Sequence, residues 1–292
     1  MKGLIRKAAF AAALVVLFLL LVGLFVYYRY PWDNLKVRLA DELSTRSTVL
    51  VKIGELKPSV PVSLKFEDIE VYQRSPSALL ARIDELVVDP SIWSVIVGKP
   101  KLRLKGYAYG GSMSGRVKEV NGDRYDLDIS LHGIVLDKYN WNELPLGRES
   151  SIRLGGILDF VVSGTTSQKL KDQDLSGSLN VKNLALTSST IAGVEVPDMT
   201  FPSVSIPFEV KGPRLIIKPT SISGSDLEAR IQGSVNLVKR LERSTCDIEV
   251  RLKLKGKFKD SLDPLLQWVK SKDAEGFYRI TISGQIRRPR FK

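Results

Sequence analysis

The sequence contains very few residues of the types that most often perform chemistry. Its 292 residues include one cysteine, Cys246, and one histidine, His132. A single cysteine excludes an intrachain disulfide and any metal site built from several cysteines. The sequence also lacks a phosphate-binding P-loop, a G-x-S-x-G nucleophile motif and an H-E-x-x-H zinc motif. These absences predict a protein that is not an enzyme and that binds no cofactor or metal.

Long apolar runs are also scarce, and only one has the length of a membrane span. Residues 8–28 carry no charge, and as a helix with a rise of about 1.5 Å per residue they would extend about 30 Å, the thickness of a bilayer core. Lys2, Arg6 and Lys7 precede the run, so the positive-inside rule predicts a cytoplasmic N-terminus. We predict a cytoplasmic tail at 1–7, a transmembrane helix at 8–28, an amphipathic connector at 29–46 and an exported β domain at 47–292.

A cleaved signal peptide is the alternative interpretation of this run. The apolar part of a signal peptide is about 7–15 residues long and ends in small residues at the cleavage site. The run here is longer, and aromatic residues typical of the membrane–water interface mark its end: Tyr27, Tyr28, Tyr30 and Trp32. These features favour a retained anchor.

The chain is basic, with 44 lysine and arginine residues, 32 acidic residues and a formal net charge of +12. Basic surfaces often bind nucleic acid, but export across a membrane disfavours that partner. Three interpretations of the excess remain, namely contact with an anionic membrane surface, contact with an acidic partner, and an ordinary solvated surface.

Beyond the connector the hydrophobic pattern has a period of two for most of the chain. Apolar and polar residues alternate most clearly in residues 125–132, 230–237, 246–259 and 278–287. This alternation predicts half-buried antiparallel strands with one apolar face and one wet face. Gly110-Gly111 and Asn121-Gly122 are hairpin signals, so we predict a three-strand meander from Lys101 to His132.

A bulky apolar residue followed two positions later by glycine recurs along these strands. The pairs are Leu104–Gly106, Met113–Gly115, Leu131–Gly133, Val162–Gly164, Leu175–Gly177, Ile222–Gly224, Ile231–Gly233, Leu254–Gly256 and Ile282–Gly284. This spacing places glycine on the apolar face, where it weakens a strand unless the backbone bends or approaches another surface closely. We therefore predict a mainly β fold, in which a curled, mostly antiparallel open sheet (a taco or half-barrel) follows the transmembrane helix.

Few segments of the exported part have a helical pattern. Leu35, Leu39 and Leu43 share one helical face, which predicts that the amphipathic connector lies near the membrane or packs on the start of the β domain. A helix beginning at Asp263-Pro264 and short turns at 92–97 and 140–144 are predicted to cap the ends or edges of the sheet.

Two sets of strand residues are candidates for function. The apolar set would line either a sealed core or an open ligand groove, because both give the same alternation: Leu104, Leu131, Ile231, Leu252, Leu254, Phe258, Ile280 and Ile282. The basic set would form a surface that protects an edge or faces anionic headgroups: Arg251, Lys253, Lys255 and Lys257.

The isolated histidine and cysteine have ordinary structural interpretations. His132 shares the polar face of its predicted strand with Asp126 and Asp128, so a metal or acid–base role is conceivable. Alternating polar residues on a solvated strand explain the same pattern, and we favour that reading. Cys246 is predicted on the apolar side of its strand as a small hydrophobe.

The order of several segments resembles a known family. After the anchor come Tyr30-Pro31-Trp32-Asp33 and the stretch VDPSIWSVIVGKPKLRLKGYAYGGSMSG. LDKYNWNELPL, IRLGGILDFVVSG and a terminal YRITISGQIRRPR follow. This arrangement, which covers nearly the whole chain, resembles the type II secretion system protein N (GspN) family in its divergent form. The architecture is also similar to that of AsmA-like proteins.

The resemblance implies a location and a role. A GspN-like protein is expected to be a single-pass protein of the bacterial inner membrane whose bulk lies in the periplasm. It would act without catalysis as an accessory to type II secretion, with other inner-membrane or periplasmic components of that system as partners. The AsmA-like similarity implies the alternative, a periplasmic carrier or conduit for lipid with an apolar groove. Neither resemblance brings catalytic residues.

Overall fold

A computed structural model describes most of the chain. The described residues are 14–47 (without 16, 19, 20, 24, 26 and 28), 49–59, 63–74, 78–91, 94, 98, 100–143, 151–167, 169–191, 194–238, 243–255, 272–286 and 288–291. The described residues between 14 and 29 are helical. Within these ranges, no helix has both the length and the apolar character required to cross a bilayer.

The fold is mainly β, as predicted, and most of it is one antiparallel sheet. The sheet contains 14 strands, and a separate hairpin contains two. The strands are β1 (Val49–Ser59), β2 (Ser63–Gln73), β3 (Leu79–Pro90), β4 (Lys101–Ala108), β5 (Gly111–Asn121), β6 (Arg124–Val135), β7 (Leu154–Ser167), β8 (Asp174–Leu186), β9 (Ser189–Ile191), β10 (Val194–Val196), β11 (Met199–Lys211), β12 (Arg214–Ser223), β13 (Leu227–Asn236), β14 (Thr245–Leu254), β15 (Tyr278–Gln285) and β16 (Arg288–Phe291).

The sheet is a meander in which each strand pairs with its neighbours in the chain, except that β8 pairs with β11. Its order runs from β1 to β8 and from β11 to β16, and the β9–β10 hairpin branches off between β8 and β11. All of the pairings are antiparallel. Short connections join successive antiparallel strands without a crossover. The curvature that the sequence predicts for this sheet stays a prediction.

The three-strand meander predicted from Lys101 to His132 is confirmed as β4, β5 and β6, but its first turn lies one residue earlier than expected. Ala108 pairs with Gly111, so the two loop residues are Tyr109 and Gly110. Their φ angles are +49° and +77°, the left-handed values that a type I′ hairpin requires at both positions. The second turn lies at residues 122–123, one residue later than the Asn121-Gly122 signal, because Asn121 pairs with Arg124.

One α-helix, α1 (Trp32–Arg46), packs on the first strands. Trp32, Leu35 and Leu39 contact the buried cluster formed by Leu56, Phe66 and Ile69. The prediction that the connector packs on the start of the β domain is therefore confirmed for Leu35 and Leu39. Leu43, on the same predicted helical face, does not join this contact and is 51% exposed.

Helix α1 also covers the outer edge of β1. The Val51 amide donates to Ser44 Oγ at 2.9 Å, and Lys36 Nζ donates to the Gly54 carbonyl at 3.1 Å. Both backbone groups are on an edge strand, where unpaired groups invite pairing with another chain. The helix therefore provides hydrogen-bond partners for some of the unpaired backbone groups of β1, the edge strand that begins the sheet.

The other predicted helical segments lie partly or wholly outside the described residues. The helix beginning at Asp263-Pro264 lies outside them, and within 92–97 only Ser94 is described. In the segment 140–144, a 3-10 turn forms at Trp141–Glu143. Another 3-10 turn at Leu136–Lys138 buries Leu136.

Candidate functional site: the apolar face of the sheet

Cross-strand partners on one face of the sheet are apolar or glycine from one side of the molecule to the other. One such row runs through thirteen strands in register. Its members, from β1 to β15, are Pro58, Leu64, Val88, Leu104, Gly115, Ile129, Val162, Gly177, Phe208, Ile217, Gly233, Ile248 and Ile282. Because cross-strand partners lie on the same face, these residues define the apolar face.

A second row parallel to the first widens this face across the first nine strands of the sheet. It contains Leu56, Phe66, Leu86, Gly106, Met113, Leu131, Phe160, Leu179 and Ile206. The glycines in both rows make room for larger neighbours. A Cβ atom at Gly177 would lie 2.6 Å from the Phe208 ring, and one at Gly106 would lie 3.0 Å from the Met113 side chain. The apolar-x-glycine pattern thus matches large side chains on one strand to gaps on the next.

The predicted apolar set lies on this one face wherever the structure describes it. Leu104 and Ile282 belong to the first row and Leu131 to the second, and the others alternate with them along β13, β14 and β15: Ile231, Leu252, Leu254 and Ile280. All of them are half-buried, neither sealed nor fully exposed. Phe258 lies outside the described residues.

Helical elements among the described residues cover two parts of the apolar face. At one side α1 packs over β1–β3. In the middle, Leu136 and Trp141 pack with Val181 and Val204 in a cluster that extends to Leu252. Beside them, Leu80, Tyr109, Ile134, Val135, Leu136, Tyr139 and Trp141 line an apolar cavity of about 270 Å³. A sheet face with this lining can hold aliphatic chains by burial of apolar surface alone.

The predicted basic set lies on the opposite, polar face and has acidic partners. Arg251 Nε lies 2.7 Å from Glu249 Oε1, and Lys255 Nζ lies 3.4 Å from Glu228 Oε2. The hydrogen bond from Arg251 holds the pKa of Glu249 below its usual range. Lys253 Nζ lies 5.3 Å from the centre of the Phe277 ring, which is 1% exposed. Lys257 lies outside the described residues.

A turn at residues 272–277 covers this part of the polar face. Asp273 Oδ2 lies 3.9 Å from Arg251 Nη1, and Glu275 Oε2 lies 2.9 Å from Arg230 Nη1. The Arg230 guanidinium also stacks on the Phe277 ring, at 4.5 Å from its centroid. The charges of β14 are thus largely neutralised by local acids and an aromatic ring.

His132 and Cys246 lie on the faces that the alternation predicted. His132 is exposed, and its Nδ1 lies 3.6 Å from Asp159 Oδ1. Asp159 Oδ1 also accepts a 2.9 Å hydrogen bond from the Gly133 amide. Cys246 is 8% exposed on the apolar face, as expected for a small hydrophobe. Among the described residues, no group of three or more histidine, cysteine or acidic side chains is placed to hold a metal ion.

Sequence reasoning missed a second group of basic residues, on β4 and β5. Lys101, Arg103, Arg116 and Lys118 lie on the polar face, where Lys101 pairs with Lys118 and Arg103 with Arg116. The alternation that drew attention to residues 251–257 is equally clear in residues 101–105, so the signal was present. What could not be read from one strand is that these cations are opposite each other.

Comparisons of the chain with protein-family models, with curated proteins and with solved structures give no match.

Proposed function

We propose that this chain is a non-catalytic, membrane-anchored periplasmic protein that holds lipid acyl chains on the apolar face of its sheet. The observation that carries the proposal is the row of apolar and glycine residues that crosses thirteen strands while residues such as Leu104 and Ile282 remain half-buried. A sealed core of this width would bury such positions as deeply as Val204, which is 4% exposed.

The anchor belongs to the same proposal. Residues 8–28 are uncharged and aromatic residues follow them. Tyr27 and Trp32 also connect this segment to the sheet, since Tyr27 Oη lies 2.9 Å from the Ser59 carbonyl and Trp32 Nε1 donates to the Tyr27 carbonyl at 3.1 Å. A curled sheet would bring the two sides of the apolar face closer together and shield bound chains from water.

A photo-crosslinkable amino acid at Leu102 tests lipid binding in intact cells. Leu102 is on the apolar face and 37% exposed, so its replacement should leave the fold intact. We expect lipid adducts at position 102, detected by mass spectrometry, and none at Lys105 on the polar face of the same strand. Because both positions lie on β4, lipid that contacts the strand without preference for one face would label both of them.

A second substitution tests whether residues on distant strands of the apolar face contribute to the same lipid binding. Ile282→Asp should reduce the adduct at position 102, whereas Thr281→Asp, on the polar face of the same strand, should leave it unchanged. Absence of adducts at 102 in a protein with a normal thermal unfolding transition would contradict the proposal. Loss of folding in Ile282→Asp alone would assign that residue to the core.

The second candidate function is an accessory role in type II secretion, and the order of sequence segments from Tyr30-Pro31-Trp32-Asp33 to the terminal YRITISGQIRRPR favours it. In a deletion strain, an enzyme exported by this system should accumulate in the periplasm, and the gene should restore export. Normal export together with altered outer-membrane lipid would leave lipid carriage as the better account.

A further inference from the structure

One end of the sheet adjoins the segment proposed as the anchor. Tyr27 Oη lies 2.9 Å from the carbonyl oxygens of both Ser59 and Ser63, at the end where β1 passes to β2. Because the strands are antiparallel and in register, the same end contains the start of β4 and the end of β5. If residues 8–28 cross the membrane, this end of the sheet faces the headgroups.

A row of polar residues in register leads from that point along the polar face. Ser63 Oγ donates to Asp89 Oδ1 at 3.2 Å. Asp89 pairs with Arg103, Arg103 with Arg116, and Arg116 with Asp128. Adjacent strands are about 4.8 Å apart, so Arg116 lies about 14 Å along the sheet from Ser63 and at the same height along the strands.

The cations in and beside this row face one another. Lys101 pairs with Lys118 and Arg103 with Arg116 across β4 and β5, and like charges directly opposite each other destabilise a strand pair. In the described part of the chain, no carboxylate oxygen lies within 4.0 Å of any of these four groups. Elsewhere on the polar face cations are paired, as Lys65 Nζ is with Glu85 Oε2 at 3.0 Å.

These residues surround a hollow. A cavity of about 350 Å³ is lined by Lys101, Arg116, Lys118, Asp126, Asp128 and Ser163, together with Leu127 and Gly164. Its volume is more than twice the roughly 150 Å³ that holds a benzene molecule. The two carboxylates belong to β6, so the cations lie on one side of the hollow and the acids on the other.

We propose that this hollow binds the headgroup of a phospholipid that carries both a phosphate and a primary ammonium group. Lys101, Arg116 and Lys118 would hold the phosphate by charge-assisted hydrogen bonds, and Asp126 and Asp128 would hold the ammonium. Asp128 is opposite Arg116 and Asp126 is opposite Lys118 in the strand register, so a simple anion bound to these cations would lie beside two carboxylates that repel it, whereas a zwitterion matches both groups. The inference rests on the proposed membrane anchoring but not on lipid binding to the apolar face.

The test uses the full chain in nonionic detergent and the soluble headgroup phosphoethanolamine, with binding followed by isothermal titration calorimetry. We expect phosphoethanolamine to bind about tenfold more tightly than inorganic phosphate or ethanolamine, because each of these makes only half of the contacts. Arg116→Gln with Lys118→Gln should weaken binding at least about tenfold. Lys57→Gln with Lys65→Gln, which removes paired cations of the same face, should leave binding unchanged.

A further double variant separates the contributions of the two ligand groups. Asp126→Asn with Asp128→Asn should remove the preference for phosphoethanolamine over phosphate without weakening the binding of phosphate. Equal affinity of the unmodified chain for phosphate and phosphoethanolamine would mean that the hollow binds free phosphate and not a headgroup. No binding of either compound would overturn the inference. Adducts at position 102 report on the apolar face independently, so the two proposals can fail separately.

Discussion

Glu67 lies between two lysines at the start of the sheet. Its carboxylate is 3.0 Å from Lys57 Nζ and 2.8 Å from Lys65 Nζ. Hydrogen bonds from Lys65 and then Lys57 lower the pKa of Glu67 from 4.5 to about 2. A carboxyl whose pKa is lowered by folding stabilises the folded state above its unfolded pKa, and that contribution disappears as the pH falls through the folded value.

Glu67→Gln should therefore lower the thermal unfolding midpoint at pH 6. The difference from the unmodified chain should shrink between about pH 4.5 and pH 2, the interval set by the two pKa values. Midpoints measured over this range check the expectation. Glu119→Gln, which removes a carboxylate that has no ion pair within 4.0 Å in the described part of the chain, is the control. A difference that stays constant down to pH 2 would contradict the assignment.

Gly177 shows how closely neighbouring strands approach on the apolar face. A Cβ atom there would lie 2.3 Å from the Val161 carbonyl oxygen and 2.6 Å from the Phe208 ring. That ring is held in place by stacking on Phe160, at a centroid distance of 5.8 Å. Gly177→Ala should destabilise the protein by about 1–3 kcal/mol through overpacking.

Gly115, in the same cross-strand row, is the matched control for this substitution. A Cβ atom at Gly115 would lie 3.2 Å from the Leu104 side chain, which is half-buried and can move. Urea unfolding should show a clearly smaller loss for Gly115→Ala than for Gly177→Ala. Equal losses would mean that glycine contributes by its backbone freedom rather than by the space it leaves.

At the scale of elements, α1 shields backbone groups of the first edge strand, β1, from solvent. Ser44→Ala removes the acceptor of the Val51 amide, so that amide should exchange faster with solvent and stability should fall by about 1 kcal/mol. Ser47→Ala removes a hydrogen bond of the same helix to the Leu43 carbonyl, 2.6 Å away, without touching Val51. Hydrogen exchange measured by NMR distinguishes the two, and equal rates at Val51 would exclude the shielding role of Ser44.

The alternation of apolar residues predicted the strands better than it predicted their limits. Strands with strict alternation, such as β5 and β14, were found where expected. The face of β1 to β3 was not predictable, because both strands of the β1–β2 pair depart from regular alternation at Gly54 and Asp68, and Asp68 has a φ of +52°. Ile53 and Leu56 consequently both contribute to the cluster under α1, although their positions differ by three and regular alternation would place them on opposite faces.

The sequence predicts on which face of the sheet the candidate residues lie, but not which side chains surround them. Period two is sufficient to place Leu104, Leu131 and Ile282 together on one face. One acidic partner of Arg251, Asp273, is more than twenty residues away in the chain. The turn that carries Asp273 has no strong sequence pattern of its own, so this contact was not predictable. Pairing of Lys101 with Lys118 likewise depends on the position of the turn, which the glycine signals misplaced by one residue.

At the scale of the whole molecule, the proposed anchor has a direct test. Carbonate washing of membranes should leave the full chain in the membrane fraction, because alkaline carbonate removes proteins held only by charge. A variant without residues 8–28 should be released. Release of the full chain would remove the anchor from the proposed function, and with it the argument that orients the hollow towards headgroups.

The nearly sequential order of the sheet has a consequence for how such a molecule grows. Apart from β11, which pairs with β8 across the β9–β10 hairpin, each strand of the large sheet pairs with the strand made just before it, so few segments wait for a distant partner. One side is closed by α1 at the outset, and the only growing side is the most recent strand. Duplication of a hairpin near the C-terminus would extend the apolar face by about 10 Å while leaving every earlier pairing intact, which makes the width of this face an adjustable dimension, open to change in evolution and in design.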